Sequence, residues 1–197
     1  MSDQAAPSKD TLRRELRFES ERHRAEEAAA SRQLVLRLKE EPLWKASQCF
    51  LFFSALPGEP DLSSLVSEVL KDGKTVAFPR YVAATESYAA CQIANPTEDL
   101  APGRYGIFEP RASCAELPLN KLDFLLVPGV GFDLSGARLG RGKGYFDRLL
   151  VRASGVRCGV AFDWQVLPEL PTEPHDVRVD CLITPTHWRS FRTSANK

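Results

Sequence analysis

The pattern that most constrains this chain is an alternation of strand-length apolar runs with amphipathic helix. Cys49-Phe-Leu-Phe-Phe-Ser54 is a short apolar, aromatic run closed by Pro57-Gly58, and it reads as a buried strand. Asp61 can cap the helix that follows, where Leu62, Leu65, Val66, Val69 and Leu70 share one face and Gly73 takes the C′ position. Thr75-Val-Ala-Phe78 is a second strand, predicted to end at Pro79. Strand, helix, strand is a βαβ unit, and it sets the fold class as α/β.

The same alternation resumes further on. Leu122 to Val127 predicts a strand, Gly144 to Val151 a helix, Val156 to Phe162 a strand, and Cys181 to Thr184 a last short one. Between the two halves, Ala83 to Asn120 carries Pro96, Pro102, Pro110 and Pro118. It predicts long functional loops on the same domain, with one strand over Tyr88 to Ile93. At the front, Ser8 to Glu41 is rich in Arg, Glu, Ala and Leu without Gly or Pro, and predicts a helix broken at Pro42. Its basic set, Lys9, Arg13, Arg14 and Arg17, reads on charge pattern alone as a solvated face. The expectation is a single domain over residues 1–197.

Composition narrows the function. Twenty-six basic residues balance twenty-six acidic ones, which argues against a chain that coats nucleic acid. The polar stretch Met1 to Asp10 is not a secretory signal, and no apolar run is long enough to span a bilayer. Cys49, Cys91, Cys114, Cys158 and Cys181 form no C-x-x-C pair, and His23, His175 and His187 lie far apart, so neither a disulfide framework nor a zinc site is suggested. A cytoplasmic, monomeric protein with reduced thiols is expected.

The chemistry lies between Val127 and Arg148. Gly131, Gly136, Gly140, Gly142 and Gly144 allow positive φ and close approach to a ligand, and Arg138, Arg141 and Lys143 are interleaved with them. A helix then begins near Gly144, with Phe146, Leu149, Leu150 and Ala153 on its buried face. Free N–H groups at a helix start together with three cations make a phosphate site. Asp147, in the first turn, reads as a capping carboxylate if taken alone; beside the basic loop it reads as a holder of Mg2+ against bound phosphates. Spacing excludes two common phosphate loops. A Walker A loop would need Gly at Ala137 and Ser or Thr at Gly144, and Gly140-Arg-Gly142-Lys-Gly144 misses the dinucleotide spacing.

At these residues the chain resembles the 5-formyltetrahydrofolate cyclo-ligases. The main motif is Pro128-Gly-Val-Gly-Phe-Asp133 followed by Arg138-Leu-Gly-Arg-Gly-Lys-Gly-Tyr-Phe-Asp147. Weaker matches follow in order: Lys9-x-x-Leu12-Arg13, Glu59-Pro-Asp61, Phe78-Pro79-Arg80, Tyr105-Gly-Ile-Phe-Glu-Pro110, His175-Asp176 and Val179-Asp180. Phe146 departs from the family's second Tyr, and Pro60-Asp61-Leu62 from its Val-Asp-Thr.

The resemblance implies a three-layer α/β domain with a central mixed, mostly parallel sheet flanked by helices. It implies ATP- and Mg2+-dependent cyclisation of 5-formyltetrahydrofolate to 5,10-methenyltetrahydrofolate, releasing ADP and phosphate. By the same resemblance, Lys9, Arg13, Arg138, Arg141 and Lys143 hold the ATP phosphates, within an ATP-binding set that also takes in Leu139, Gly140, Gly142, Gly144, Tyr145 and Phe146. Lys143, Arg141 and Tyr145 are the catalytic set, and Asp147 and Asp180 bind Mg2+. Leu56, Glu59, Asp61, Tyr105 and Tyr145 lie around the folate. The match at Lys9 and Arg13 also implies that the helix start folds back onto the phosphate loop while Arg14 and Arg17 stay in solvent. ATP and a reduced folate are then the partners, with no nucleic acid and no membrane. On fold alone, a sugar-phosphate isomerase, a CoA-transferase-like enzyme or a non-catalytic folate or nucleotide binder stays open.

Overall fold

The computed structural model describes residues 7–103 and 106–192. The first half of the chain holds α1 (Lys9–Arg22), α2 (Glu27–Glu40), α3 (Pro42–Ala46), β1 (Cys49–Leu51), α4 (Ser63–Lys71), β2 (Thr75–Val82) and β3 (Ser87–Ile93). After these come α5 (Pro96–Asp99), β4 (Leu100–Pro102), β5 (Phe108–Pro110), β6 (Phe124–Pro128), β7 (Gly131–Asp133) and β8 (Arg138–Leu139). The last elements are α6 (Tyr145–Leu150), β9 (Val156–Val160), β10 (Val166–Leu167), β11 (Cys181–Ile183) and β12 (Trp188–Ser190).

The main sheet has seven strands in the order β12-β11-β9-β6-β1-β2-β3. Its five inner strands run parallel, and an antiparallel strand closes each edge. The sheet is therefore mixed and mostly parallel, and the chain is α/β. Side chains alternate across it because the strand period is two. Phe50, Phe52, Phe124 and Leu126 face α2, α3 and α4, where they meet Leu34, Leu38, Trp44, Leu65, Val66 and Val69. Leu51, Leu125 and Val127 face the other way, onto Phe132, Leu149 and Leu150. A third cluster, Leu12, Leu16, Val130, Ala137, Leu139 and Leu170, packs α1 onto the small sheet β10-β7-β8.

Several boundaries differ from expectation for local reasons. The single N-terminal helix is two, broken at His23, where the imidazole lies between Glu19 and Glu26 and stacks on Trp164 at 4.5 Å. The break sends α1 to the small sheet and α2 to the large one. β2 does not stop at Pro79 but continues to Val82. Its pairing with β1 ends at Ala77, so Pro79 has a strand neighbour only on the β3 side. Asp61 accepts the Ser63 N–H at 2.9 Å, although the helix N-cap position is Leu62. β1 and β9 end sooner than the apolar runs do, at Leu51 and Val160. The small sheet and β12 have no counterpart in the sequence pattern, because strands of two or three residues are too short to show a period.

Asp133 holds this small sheet together. Nearly fully buried, it accepts the N–H groups of Ser135 (2.8 Å), Ala137 (2.9 Å) and Leu170 (3.0 Å) and the Ser135 hydroxyl (2.7 Å). Burial alone would raise its carboxyl, yet these bonds outweigh that and hold it below its ordinary range. A lowered native value stabilises the fold above the ordinary carboxylate range, and that stability is lost as pH falls through the native value. Asp133→Ala is expected to cost about 2–4 kcal/mol at pH 7 in urea unfolding, with three orphaned N–H groups as the cause. The penalty should shrink as pH falls from about 4 through the lowered native value, where the parent loses the same bonds.

Candidate active site at the carboxyl ends of β1 and β6

From β1 the chain moves outward to β2 and β3, then returns to pair β6 on the other side of β1. The loops leaving β1 and β6 therefore part in opposite directions, and a crevice opens at that switch point. Here it is a cavity of about 340 Å³. Phe53, Ser54, Leu56 and Glu59 line it from the β1 side, and Pro128, Gly129, Arg138, Gly140, Arg141 and the stretch Lys143–Asp147 from the β6 side.

The loop takes the shape its glycines permit. Gly136 (φ 84°), Gly142 (φ 98°) and Gly144 (φ 63°) use the left-handed region, while Gly131 and Gly140 do not. Gly131 is needed for closeness instead: a Cβ there would stand 2.5 Å from Leu16 Cδ1 of α1. Gly144 is the N-cap of α6, which has only six residues, so its dipole is that of a single turn or so. The cations therefore dominate the local field.

Those cations are used unequally. Arg138 is buried; its guanidinium donates to Pro128 O at 3.1 Å and to Asp147 Oδ1 at 2.5 Å, and lies 5.9 Å from the Phe146 ring centroid. Its Nε is buried with no partner among the described residues. Arg141 donates Nε to Glu59 Oε1 at 2.8 Å, joining residues 82 positions apart. Glu59 Oε2 accepts Leu56 N–H at 3.0 Å. Burial pushes the Glu59 carboxyl above its ordinary range, against the pull of Arg141. Lys143 is exposed on the cavity wall, and its ammonium has no hydrogen-bond or ion-pair partner among the described residues. Tyr145 packs on Tyr81 at 5.1 Å and Tyr88 at 5.9 Å, so the wall beside Lys143 is aromatic.

Most of the expected set comes together: Leu56, Glu59, Arg138, Gly140, Arg141, Lys143, Gly144, Tyr145, Phe146 and Asp147 all line this cavity. Arg13 reaches the loop from outside, donating to Gly140 O at 2.9 Å and lying against Gly142, while Arg14 and Arg17 are exposed. Leu139 is different: it is buried against Leu12 and Leu16, so it is core and not wall. Lys9 does not reach the cavity. It is held at 2.6 Å by both Glu173 and Asp176; burial disfavours its charge, but these two carboxylates raise it. Asp61 faces a separate groove between α2 and α4. Tyr105 lies outside the described residues.

Asp180 is not brought to Asp147. Its carboxylate accepts the Arg157 N–H at 2.8 Å, level with the start of β9. The cavity opens at the level where Pro128 pairs Val160, three residues and roughly 10 Å further along the strands. In this C-terminal loop, Asp176 of the His175-Asp176 match reaches α1 through Lys9, as Glu173 does. Three wall residues carried no motif signal: Phe53, Ser54 and Tyr88. Gln165, also unflagged, is buried and donates to Gly58 O at 2.9 Å and Val130 O at 3.2 Å, pinning the two diverging loops.

The architecture is thus an open α/β sheet with a glycine-rich, basic loop on the cavity at its switch point. The sequence profile of the 5-formyltetrahydrofolate cyclo-ligase family matches residues 5–185. The 5-formyltetrahydrofolate cyclo-ligase of Haemophilus influenzae is 34% identical over 161 residues, covering 80% of this chain and 83% of that one. The solved structure of Aquifex aeolicus 5,10-methenyltetrahydrofolate synthetase superposes with a TM-score of 0.86 at 34% identity, covering 96% and 95% of the two chains. A Mycoplasma pneumoniae synthetase structure shares the fold at a TM-score of 0.73 and 19% identity, covering 91% of this chain and 99% of that one. The chain belongs to the 5-formyltetrahydrofolate cyclo-ligase family.

The raised Glu59 carboxyl has a measurable sign. A native value above the unfolded one means the parent loses stability as pH rises from about 4.5 through the native value. Glu59→Gln does not titrate, so its stability relative to the parent should increase across that window and then level off. Urea midpoints measured from pH 4 to 8 check this; a flat difference would contradict it.

Proposed function

We propose that this cavity is where the chain performs ATP-dependent ring closure of 5-formyltetrahydrofolate to 5,10-methenyltetrahydrofolate, with release of ADP and phosphate. The observation that carries the reading is the convergence on one cavity of Arg138, Arg141, Lys143, Tyr145 and Asp147 with Leu56 and Glu59 from some 80 residues earlier.

The triphosphate lies along Gly140 to Gly144, with Lys143 as the open cation and Arg141 beside it. The reduced folate lies against Leu56, Phe53 and the Tyr88–Tyr145 wall. The formyl oxygen attacks the γ-phosphorus, and the bond to the ADP oxygen breaks. N10 then attacks the activated formyl carbon; its proton and the phosphate depart, leaving the methenyl bridge. No protein nucleophile is needed. The chain contributes alignment of two ligands and neutralisation of charge on the transferring phosphoryl group. Lys143 and Arg141 supply that charge, and Tyr145 orients the folate.

Asp147 is the carboxylate that fits Mg2+. Arg138 holds one of its oxygens, while the second has no partner among the described residues, on a side chain 21% exposed at the cavity wall. Bound Mg2+ would neutralise phosphate oxygens there. As part of this proposal, the enzyme works as a cytoplasmic monomer; among the described residues, no helix is long and apolar enough to cross a membrane.

The direct test is incubation with 5-formyltetrahydrofolate and MgATP while following methenyl-folate absorbance in the near ultraviolet. An ATP-dependent rise is expected; its absence from folded protein would overturn the reading. Lys143→Ala should lower kcat/KM for ATP by about 10- to 100-fold. Because Lys143 is exposed and has no ion-pair partner among the described residues, the thermal midpoint should move by no more than about 1 °C.

A further inference from the structure

Outside the motif that carries the family resemblance, one side chain is tied to the cavity wall from behind. Arg148 sits on α6, one helical turn past Gly144, and is not itself part of the wall. Its guanidinium crosses to the turn between β2 and β3, donating Nε at 3.0 Å and Nη2 at 2.6 Å to the same oxygen, Glu86 O. Nη2 also makes a longer 3.4 Å contact with Lys143 O. The guanidinium carbon lies 5.1 Å from the centroid of the Tyr145 ring, and Nη1 leaves only 3.4 Å for a Cβ at Gly144.

The acceptor is itself unusual. Glu86 (φ 45°, ψ 40°) is the one non-glycine residue with positive φ among the described residues. A left-handed non-glycine residue persists where its surroundings hold it, and the two-donor grip on its carbonyl does so. The same turn joins the strands that bear Tyr81 and Tyr88, and these rings meet each other at 6.2 Å and both meet Tyr145. Arg148 therefore closes a loop of contacts: turn, guanidinium, Tyr145 ring, then Tyr81 and Tyr88 back to the turn.

We propose that Arg148 is a positioning residue, which fixes the Lys143–Tyr145 wall against the β2–β3 turn and so sets the Tyr145 ring that receives the folate. The proposal rests on the cyclo-ligase reading above. A flat, forked cation is required. One face covers the aromatic ring while two edge donors share a carbonyl, which an ammonium cannot reproduce. Since the side chain is exposed, its removal leaves no buried group unpaired and acts on geometry more than on folding.

The test compares steady-state kinetics of the parent, Arg148→Ala, Arg148→Lys and the control Arg152→Ala, which removes an exposed cation one turn further on. Arg148→Ala should raise KM for 5-formyltetrahydrofolate about 5- to 10-fold with kcat within about twofold. Arg148→Lys should recover little of that loss, and Arg152→Ala should match the parent. Thermal midpoints of all four should agree within about 2 °C. An unchanged KM in Arg148→Ala, full recovery by Arg148→Lys, or an activity loss that tracks a fallen midpoint would each overturn the proposal. Failure of the parent to form methenyl product would instead strike at the cyclo-ligase reading itself.

Discussion

Parallel pairing of β1 with β6 is the constraint on which the site depends. Phe50 and Leu51 align with Phe124 and Leu125 across more than 70 residues of intervening chain, and all four side chains are fully buried. Because β2 leaves β1 on one side and β9 leaves β6 on the other, the two following loops cannot cover each other. Side chains tie them across the gap: Gln165 donates to Gly58 O and Val130 O, and Arg141 pairs with Glu59. The crevice is thus a consequence of strand order before any residue in it is chosen.

Charge in the crevice is divided between structure and ligand. Arg138 is too buried to remain unpaired, and its ion pair with Asp147 satisfies that demand while aiming the carboxylate. Arg141 is paired with Glu59, whose carboxyl burial raises against that pull. Lys143 alone of the three is left exposed on the wall without an ion-pair partner among the described residues. Behind the loop, α1 acts as a splint: Arg13 grips Gly140 O, and Leu12 and Leu16 pack onto the small sheet that Asp133 stitches together. Lys9, bound to Glu173 and Asp176, ties the start of α1 to the C-terminal loop and so serves the cradle without touching the cavity.

Legibility in the sequence followed length of pattern. The βαβ unit at 49–78 and the strand at 124–128 were readable because buried runs of several residues have a period. The two-residue strands β8 and β10 were not, and neither was the break at His23, where an imidazole–indole stack joins residues 141 positions apart. Within the site, the Arg138–Asp147 stretch was legible because so many glycines and cations in one loop have few structural uses. Tyr88 and Phe53 were not, since an aromatic residue in a strand looks the same whether it faces a core or a cavity. Asp180 and Asp61 stand in the quoted motifs but outside this cavity: Asp180 accepts the Arg157 N–H and Asp61 the Ser63 N–H.

The Arg138–Asp147 cradle and the α/β alternation were determined by the sequence alone, because glycine conformation, charge spacing and hydrophobic period are local properties of the chain. Tertiary structure decided which cation stays open, which carboxylate faces the cavity, and which ring forms its wall. Those outcomes depend on burial and on partners such as Glu59, Pro128 O and Glu86 O, which lie far away along the chain or are backbone atoms with no signature in residue type.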